Sequence, residues 1–286
     1  MLGAIAALVS AGMAGLSPVM LKRPAEHLSP WLVSGIKLLT ALAALTIVVA
    51  VVKPGWLLAV TPKGWLLGLC VAVLGPVMAW FFYLKAMANT DVSLVSPGTN
   101  SYPVVGIITD LVVYGVVPKP LSLVAAAVIL AGLWFLSADS LRSKHNRVAW
   151  LYIAITAVCW GVNNVVAKAL TIEVGILTAA WLRVFFASAI ITFILLVFQR
   201  KAIARMTRRD LGLTVGTGLL HDAVATTLFM VAMNLGPIYI VSPLSAISPL
   251  FAAFLSGQFL HEAIGWKRWL SIFLIVGGVA LMALLR

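Results

Sequence analysis

The chain is written in long apolar runs, and this pattern restricts what it can fold into more than any motif does. Windows near 2 to 21, 31 to 52, 64 to 86, 93 to 115, 121 to 138, 149 to 169, 178 to 198, 211 to 233, 238 to 260 and 268 to 285 are apolar, bounded by Pro, Gly or charge. About 20 helical residues cross a hydrocarbon core of about 30 Å, so each window has roughly the length of one span. Only helices and closed barrels satisfy their backbone in lipid, and these runs lack the two-residue alternation of barrel strands. The sequence therefore predicts an all-α integral membrane protein with ten transmembrane helices. The run from Leu2 to Leu21 has no basic stretch before it and is followed by Lys22 and Arg23, which reads as a first span and not as a cleaved signal peptide.

Composition agrees, with 63% hydrophobic residues, only 10% charged, and a mean hydropathy of +1.11. Globular proteins carry about 25% charged residues. Ten spans leave too little of the 286 residues for a soluble catalytic domain. The formal charge of +12 falls mostly in short gaps between apolar runs, which suits loop ends and lipid headgroups and argues against nucleic acid as a partner. Cys70 and Cys159 lie inside apolar runs and read as small buried hydrophobes. Trp31, Trp56, Trp65, Trp150, Trp181, Trp266 and Trp269 fall at the window edges, where indoles prefer the headgroup region. No phosphate-binding loop, nucleophile elbow, dinucleotide fingerprint or metal-ligand spacing stands where its chemistry would work. No enzyme activity and no cofactor are expected, and ATP is not the direct energy source.

One offset, 146 residues, relates the two halves of the chain without a gap. Gly15 pairs with Gly161, Lys22 with Lys168, Lys37 with Arg183 and Gly132 with Gly278. Ala86-Met87, Val95-Ser96-Pro97 and Pro103 recur as Ala232-Met233, Val241-Ser242-Pro243 and Pro249. The division is a first repeat over residues 1–138, a linker over 139–148 and a second repeat over 149–286. Five spans per repeat is an odd number, so the second repeat enters the membrane from the opposite side. Inverted repeats of this kind are the construction of many secondary transporters, in which two halves rock about a central site.

Five-plus-five helices, the Ser-Pro that opens the fourth and ninth spans, a helix ending in Leu260-His261-Glu262 and the Gly277-Gly278 pair of the last span resemble the EamA family of the drug/metabolite transporters. The resemblance covers nearly the whole chain. It implies a basic residue early in the second span of each repeat, matched by Lys37 and Arg183. It also implies an acidic residue at the end of the fourth span, matched by Glu262 in the second copy, where the first has Tyr114-Gly115-Val116. It further implies a cavity lined by the first, third, sixth and eighth spans, export of amino acids or related metabolites, and a prokaryotic plasma membrane.

Ionisable groups deep in a bilayer are costly, which makes each a functional candidate. Asp222 falls at the middle of the eighth window with His221 beside it. A carboxylate and an imidazole at that depth are the groups to exchange a proton as access alternates. Asp110 and Arg183 fall toward one membrane face and Lys37 and Glu262 toward the other, and each set is a candidate gate; a permanent ion pair and a snorkelling lysine are the structural alternatives. Paired prolines in the fourth and ninth spans place Asn100, Tyr102, Ser245 and Ser248 in irregular backbone suited to a path. Trp160, Asn163 and Asn164 give the sixth span an aromatic and two amides, with Trp80 and Tyr83 from the third span as further lining. For each of these, helix packing is the structural alternative.

The function expected is secondary active transport of small polar metabolites, most of all amino acids, by export that protons drive. Uptake of a cationic amine such as choline, held by aromatics around Asp222, is the second reading. A non-transporting membrane scaffold is a third. Thirteen Lys and Arg on the face opposite the termini against five beside them place both termini outside by the positive-inside rule, whereas the resemblance places them inside.

Overall fold

The computed structural model of the chain describes residues 2–89, 95, 98–136, 147–198, 206–251, 254 and 266–284. No strand is present among the described residues. In chain order the elements are α1 (Leu2–His27), α2 (Pro30–Val52), a 3-10 turn (Trp56–Ala59), α3 (Pro62–Ala72), a first π-helical segment (Val73–Ala79) and α4 (Trp80–Asn89). These are followed by α5 (Tyr102–Tyr114), α6 (Pro120–Leu136), α7 (Arg147–Val174), α8 (Ile176–Phe198) and α9 (Arg208–Thr217). A second π-helical segment (Gly218–Ala225), α10 (Thr226–Leu235), α11 (Ile238–Ser245) and α12 (Trp266–Leu284) complete the chain.

Six stretches among the described residues are long and apolar enough to cross a membrane: Leu2–Leu21, Pro30–Val52, Pro62–Ala86, Arg147–Val174, Ile176–Phe198 and Arg208–Leu235. Shorter apolar helices cover Tyr102–Tyr114, Pro120–Phe135, Ile238–Phe251 and Leu270–Leu281. Their outer faces carry exposed Ile47, Val51, Phe193, Phe273 and Leu284, as lipid contact requires.

Local chemistry sets the helix ends. Pro30 and Pro62 occupy first-turn positions, where a missing N–H costs nothing. Thr61 caps α3 by accepting from the Gly64 N–H at 3.0 Å, and Thr207 with Asp210 forms a capping box on α9. Gly115 closes α5 in the left-handed region at φ 66°, which glycine reaches without penalty.

The two π-helical segments lie at positions 146 residues apart. Pro76 offers no N–H to the first, and its ring disturbs the α ladder, which steps to the next carbonyl so that Trp80 N–H reaches Gly75. In the second, the Thr226 N–H and hydroxyl both reach the His221 carbonyl, the hydroxyl at 3.0 Å. Carbonyls at the ends of the segments are met by hydroxyls from elsewhere in the chain. Ser10 on α1 donates to the Ala225 carbonyl at 2.7 Å, and the Thr156 hydroxyl on α7, which donates to its own Tyr152 carbonyl at 2.8 Å, also reaches the Ala79 carbonyl at 3.5 Å. Each contact is the other shifted by 146 residues with the halves exchanged.

The packing follows the same exchange. α1 lies against α9, the second π segment, α10 and α11, while α7 lies against α3, the first π segment, α4 and α5. α2 packs on α8, and α6 on α12. The last pair is brought close by glycine: a Cβ on Gly132 would stand 2.7 Å from Ile275, and one on Gly278 would stand 2.7 Å from Ile129 and 3.0 Å from the Ala125 carbonyl. Small residues permit such approach in membranes, where dispersion contacts drive helix association. Gly277 faces open space. Of the Gly277-Gly278 pair, only Gly278 therefore serves packing.

Two of the tryptophans expected at the headgroups are instead core residues. Trp56 and Trp181 are buried and meet edge to face with centroids 4.3 Å apart. The 3-10 turn folds Trp56 back onto α8, and Trp181 donates its indole N–H to Thr46 at 2.8 Å. Trp266 is exposed at the start of α12, as an interfacial indole would be. Cys70 and Cys159 are free thiols.

The two glycines of α12 yield a direct prediction. Gly277→Ala gains helix propensity without a clash and stabilises the detergent-solubilised protein by about 0.5–1 kcal/mol. Gly278→Ala meets backbone and destabilises it by about 1–3 kcal/mol. Thermal melts of the two variants should therefore move in opposite directions from wild type.

Candidate functional site

Three buried charges converge in the middle of the fold. Lys37 comes from α2, Arg183 from α8 and Asp222 from the second π segment, and they are 4%, 6% and 6% exposed. Lys37 Nζ lies 3.2 Å from Asp222 Oδ2. Arg183 donates from Nη2 to the Asp222 backbone carbonyl at 2.8 Å and stands 3.9 Å from Oδ1. His221 Nδ1 is 3.4 Å from the same Oδ1, and its side chain is 30% exposed. Glycine makes this arrangement possible: a Cβ on Gly218 would stand 2.5 Å from the Lys37 carbonyl oxygen and 3.0 Å from its Cα. The π segment thus lies directly against the backbone of α2. Removing one partner of a buried ion pair leaves an uncompensated charge and costs about 3–5 kcal/mol.

Beyond the charges lies an aromatic run. Lys37 Nζ sits 4.9 Å above the Trp80 ring. Trp80 and Tyr83, one turn apart on α4, stack with centroids 5.3 Å apart. Tyr83 meets Trp160 of α7 at 5.6 Å, and Trp160 meets Tyr102 of α5 edge to face at 6.1 Å. Beyond Tyr102 the surroundings are polar. The Tyr102 hydroxyl donates to the Ser242 carbonyl at 3.4 Å, and Asn164 Nδ2 donates to Ser242 Oγ at 3.1 Å. Asn163 lies against the first π segment, where a Cβ on Gly75 would be 3.0 Å from its Nδ2. A line of contacts thus runs from an ionic centre across four aromatic rings to an amide and a serine.

The structure brings Asp222, His221, Lys37, Arg183, Trp80, Tyr83, Trp160, Tyr102, Asn163 and Asn164 into this one neighbourhood. Asn100 precedes α5, half-buried; Ser245 ends α11 with its hydroxyl buried and unpartnered, and Ser248 follows within a turn. Two expected pairings differ. Asp110 does not face Arg183; it stands 3.7 Å from Lys168 of α7, because α5 packs on α7. Lys37 is neither a snorkelling lysine nor divided from Asp222 by membrane depth, since the close approach at Gly218 brings them together. Glu262 lies outside the described residues.

Two participants escaped the sequence reading. Ser242 is the serine of the Ser-Pro pair in α11, and the proline beside it was the signal. Lys168 was visible only as a repeat-paired lysine. No group of three or more His, Cys, Asp or Glu suited to a metal is found among the described residues.

Comparison with known proteins fits this architecture. A solved crystal structure superposes with a TM-score of 0.82, covering 99% of this chain and 96% of its own, at 18% sequence identity. The fold is shared. An uncharacterized transporter of Archaeoglobus fulgidus is 23% identical over 202 residues, which is 71% of this chain and 70% of its own length. An S-adenosylmethionine uptake transporter of Rickettsia prowazekii is 24% identical over 148 residues, or 52% of this chain and 48% of its own. The model of the EamA-like transporter family matches twice, over residues 1–138 and 147–284. With nearly all of its length matched in this way, the chain is an integral membrane protein that belongs to the EamA-like transporter family.

Proposed function

We propose that the protein is a secondary active transporter that moves small polar metabolites of the amino-acid class across a prokaryotic plasma membrane by alternating access, in the export direction. Its working parts are two five-helix halves of opposite orientation, divided near residues 139–148, with ten spans in all. The reciprocal contacts of Ser10 with Ala225 and of Thr156 with Ala79, together with the two ranges matched by the family model, support that division.

One observation carries the reading: an ionic centre joins an aromatic run at a place where α2, α4, α7, α8 and the second π segment all meet. Charges at that depth are costly and are kept where a substrate or ion passes. Aromatic faces hold an apolar body while a few polar groups fix its orientation. Helices on both sides of the site belong to different halves, so rocking one half against the other alternately uncovers it. His221, the most accessible of the charged cluster, is the group positioned to carry a proton beside Asp222. The cationic-amine reading loses ground, because the carboxylate that would hold the amine already faces Lys37 and Arg183. The likeness to an S-adenosylmethionine uptake transporter favours a second reading, in which the same aromatics hold an adenine ring and the direction is uptake.

Purified protein in liposomes, offered a mixed pool of amino acids, amines and S-adenosylmethionine with and without a pH gradient, separates these. Amino acids should exchange across the bilayer and follow the gradient. Trp160→Ala should lower the initial rate at least about tenfold while the melting profile stays near wild type, since a half-buried ring is removed from the proposed path. His221→Gln should flatten the response to pH and leave exchange in the absence of a gradient. Well-folded protein that moves none of these solutes refutes the transporter reading, and entry of S-adenosylmethionine alone selects the second one.

A further inference from the structure

The centre of the molecule holds more positive than negative charge. Lys37 and Arg183 share the single carboxylate of Asp222, and among the described residues no second acid reaches either cation. The other acids with described ion pairs are engaged elsewhere: Asp110 with Lys168, Asp210 with Arg23 and His27, and Glu173 with Lys63. His221 adds a further positive charge when protonated. An excess charge buried at membrane depth is costly unless a counter-charge reaches it.

Donor capacity is also left over. Arg183 is 6% exposed, and its Nε has no hydrogen-bond partner. Its described hydrogen bond uses Nη2 on a backbone carbonyl, so the guanidinium does not form a two-pronged contact with the Asp222 carboxylate. Guanidinium is shaped for two parallel bonds to one carboxylate. Lys37 Nζ stands between Asp222 and the face of Trp80, at the edge of the aromatic run. The two cations occupy positions 146 residues apart, one in each range matched by the family model.

Resting on the transporter reading above, we infer that Lys37 and Arg183 form a subsite for a carboxylate of the substrate, which is a monocarboxylate with an apolar or aromatic body. Asp222 pairs with one of the two cations, and the substrate carboxylate pairs with the other. The body of the substrate then lies along Trp80, Tyr83 and Trp160. In the loaded centre each cation faces a carboxylate, whereas in the empty one the two share a single acid, so the halves exchange places faster with substrate than without it. The protein is then an exchanger whose transition requires a bound carboxylate.

The test uses the full-length protein in liposomes loaded with the twenty amino acids. Outside is an equimolar mixture of the same amino acids and their decarboxylated amines, with entry read by mass spectrometry and corrected with protein-free liposomes. Carboxylates should enter at least about tenfold faster than the cognate amines, and omission of the internal pool should slow entry by a similar factor. Lys37→Gln should reduce the preference for the carboxylate to below about threefold and relieve the need for an internal pool, while Lys37→Arg should restore both. Asp222→Asn leaves two cations without an acid, and the ranking should move toward aspartate and glutamate; the wild-type preference for carboxylate over amine and its need for an internal pool remain readable where either variant fails to fold. Equal entry of amines and amino acids, or an Asp222→Asn ranking identical to wild type, overturns the carboxylate subsite while leaving the transporter reading intact. Absence of all entry by folded protein overturns both.

Discussion

A bilayer offers no hydrogen bonds to a helix whose ladder is disturbed, and two helices of this fold widen theirs into π turns. Freed carbonyls in hydrocarbon must be met from within the protein, at about several kcal/mol for each one left alone. The π segments at Val73–Ala79 and Gly218–Ala225 answer this with Ser10 and Thr156, hydroxyls carried by helices distant in sequence. The irregular backbone lies where α1 and α7 can supply these contacts. This requirement fixes which helices pack together and puts the widened turns in the interior, where side chains on them meet other side chains and not lipid.

The ionic centre grows from the same irregularity. A π turn shifts the angular register of the residues that follow, and in the second segment it carries Asp222. Gly218 at the start of that segment lets it approach the backbone of α2, which sets the distance from Lys37 to Asp222. On the other side α8 brings Arg183 to the Asp222 carbonyl. Each member constrains the others, since withdrawal of any one leaves charge without a partner in a medium that cannot solvate it. Such mutual constraint holds groups from separate helices at fixed separations without a disulfide or a metal.

Much of this was legible in the sequence, and the reasons for the rest are physical. Apolar windows locate helices because the bilayer demands about 20 residues regardless of sequence detail, so the starts of α2, α7, α8 and α11 fall within two residues of the windows. Asp222 was visible because a lone acid in such a run is rare. That Lys37 and Arg183 meet it was not, because depth along a span says nothing about which helices face one another. Asp110 and Arg183 share a face by counting, yet α5 packs on α7 and meets Lys168. Trp56 and Trp181 stand at window edges, as headgroup indoles do, but a four-residue turn brings them together inside. Short irregular pieces between spans are therefore where span counting misplaces residues.

The acid of the centre lies where positions 146 residues apart differ in kind. Contacts that only hold helices together keep the same kind of residue in both places: Gly132 and Gly278, Ile129 and Ile275, Ser10 and Thr156. At the π segments the kinds diverge, with Gly75 and Pro76 in the first and His221 and Asp222 in the second. Packing demands small residues or hydroxyls at fixed places in both halves, and either half fails without them. A second acid at the first π segment would add another buried charge, which is costly without a partner. One carboxylate facing a cation from each half satisfies both demands. It keeps the packing contacts alike at positions 146 residues apart and makes the centre itself one-sided.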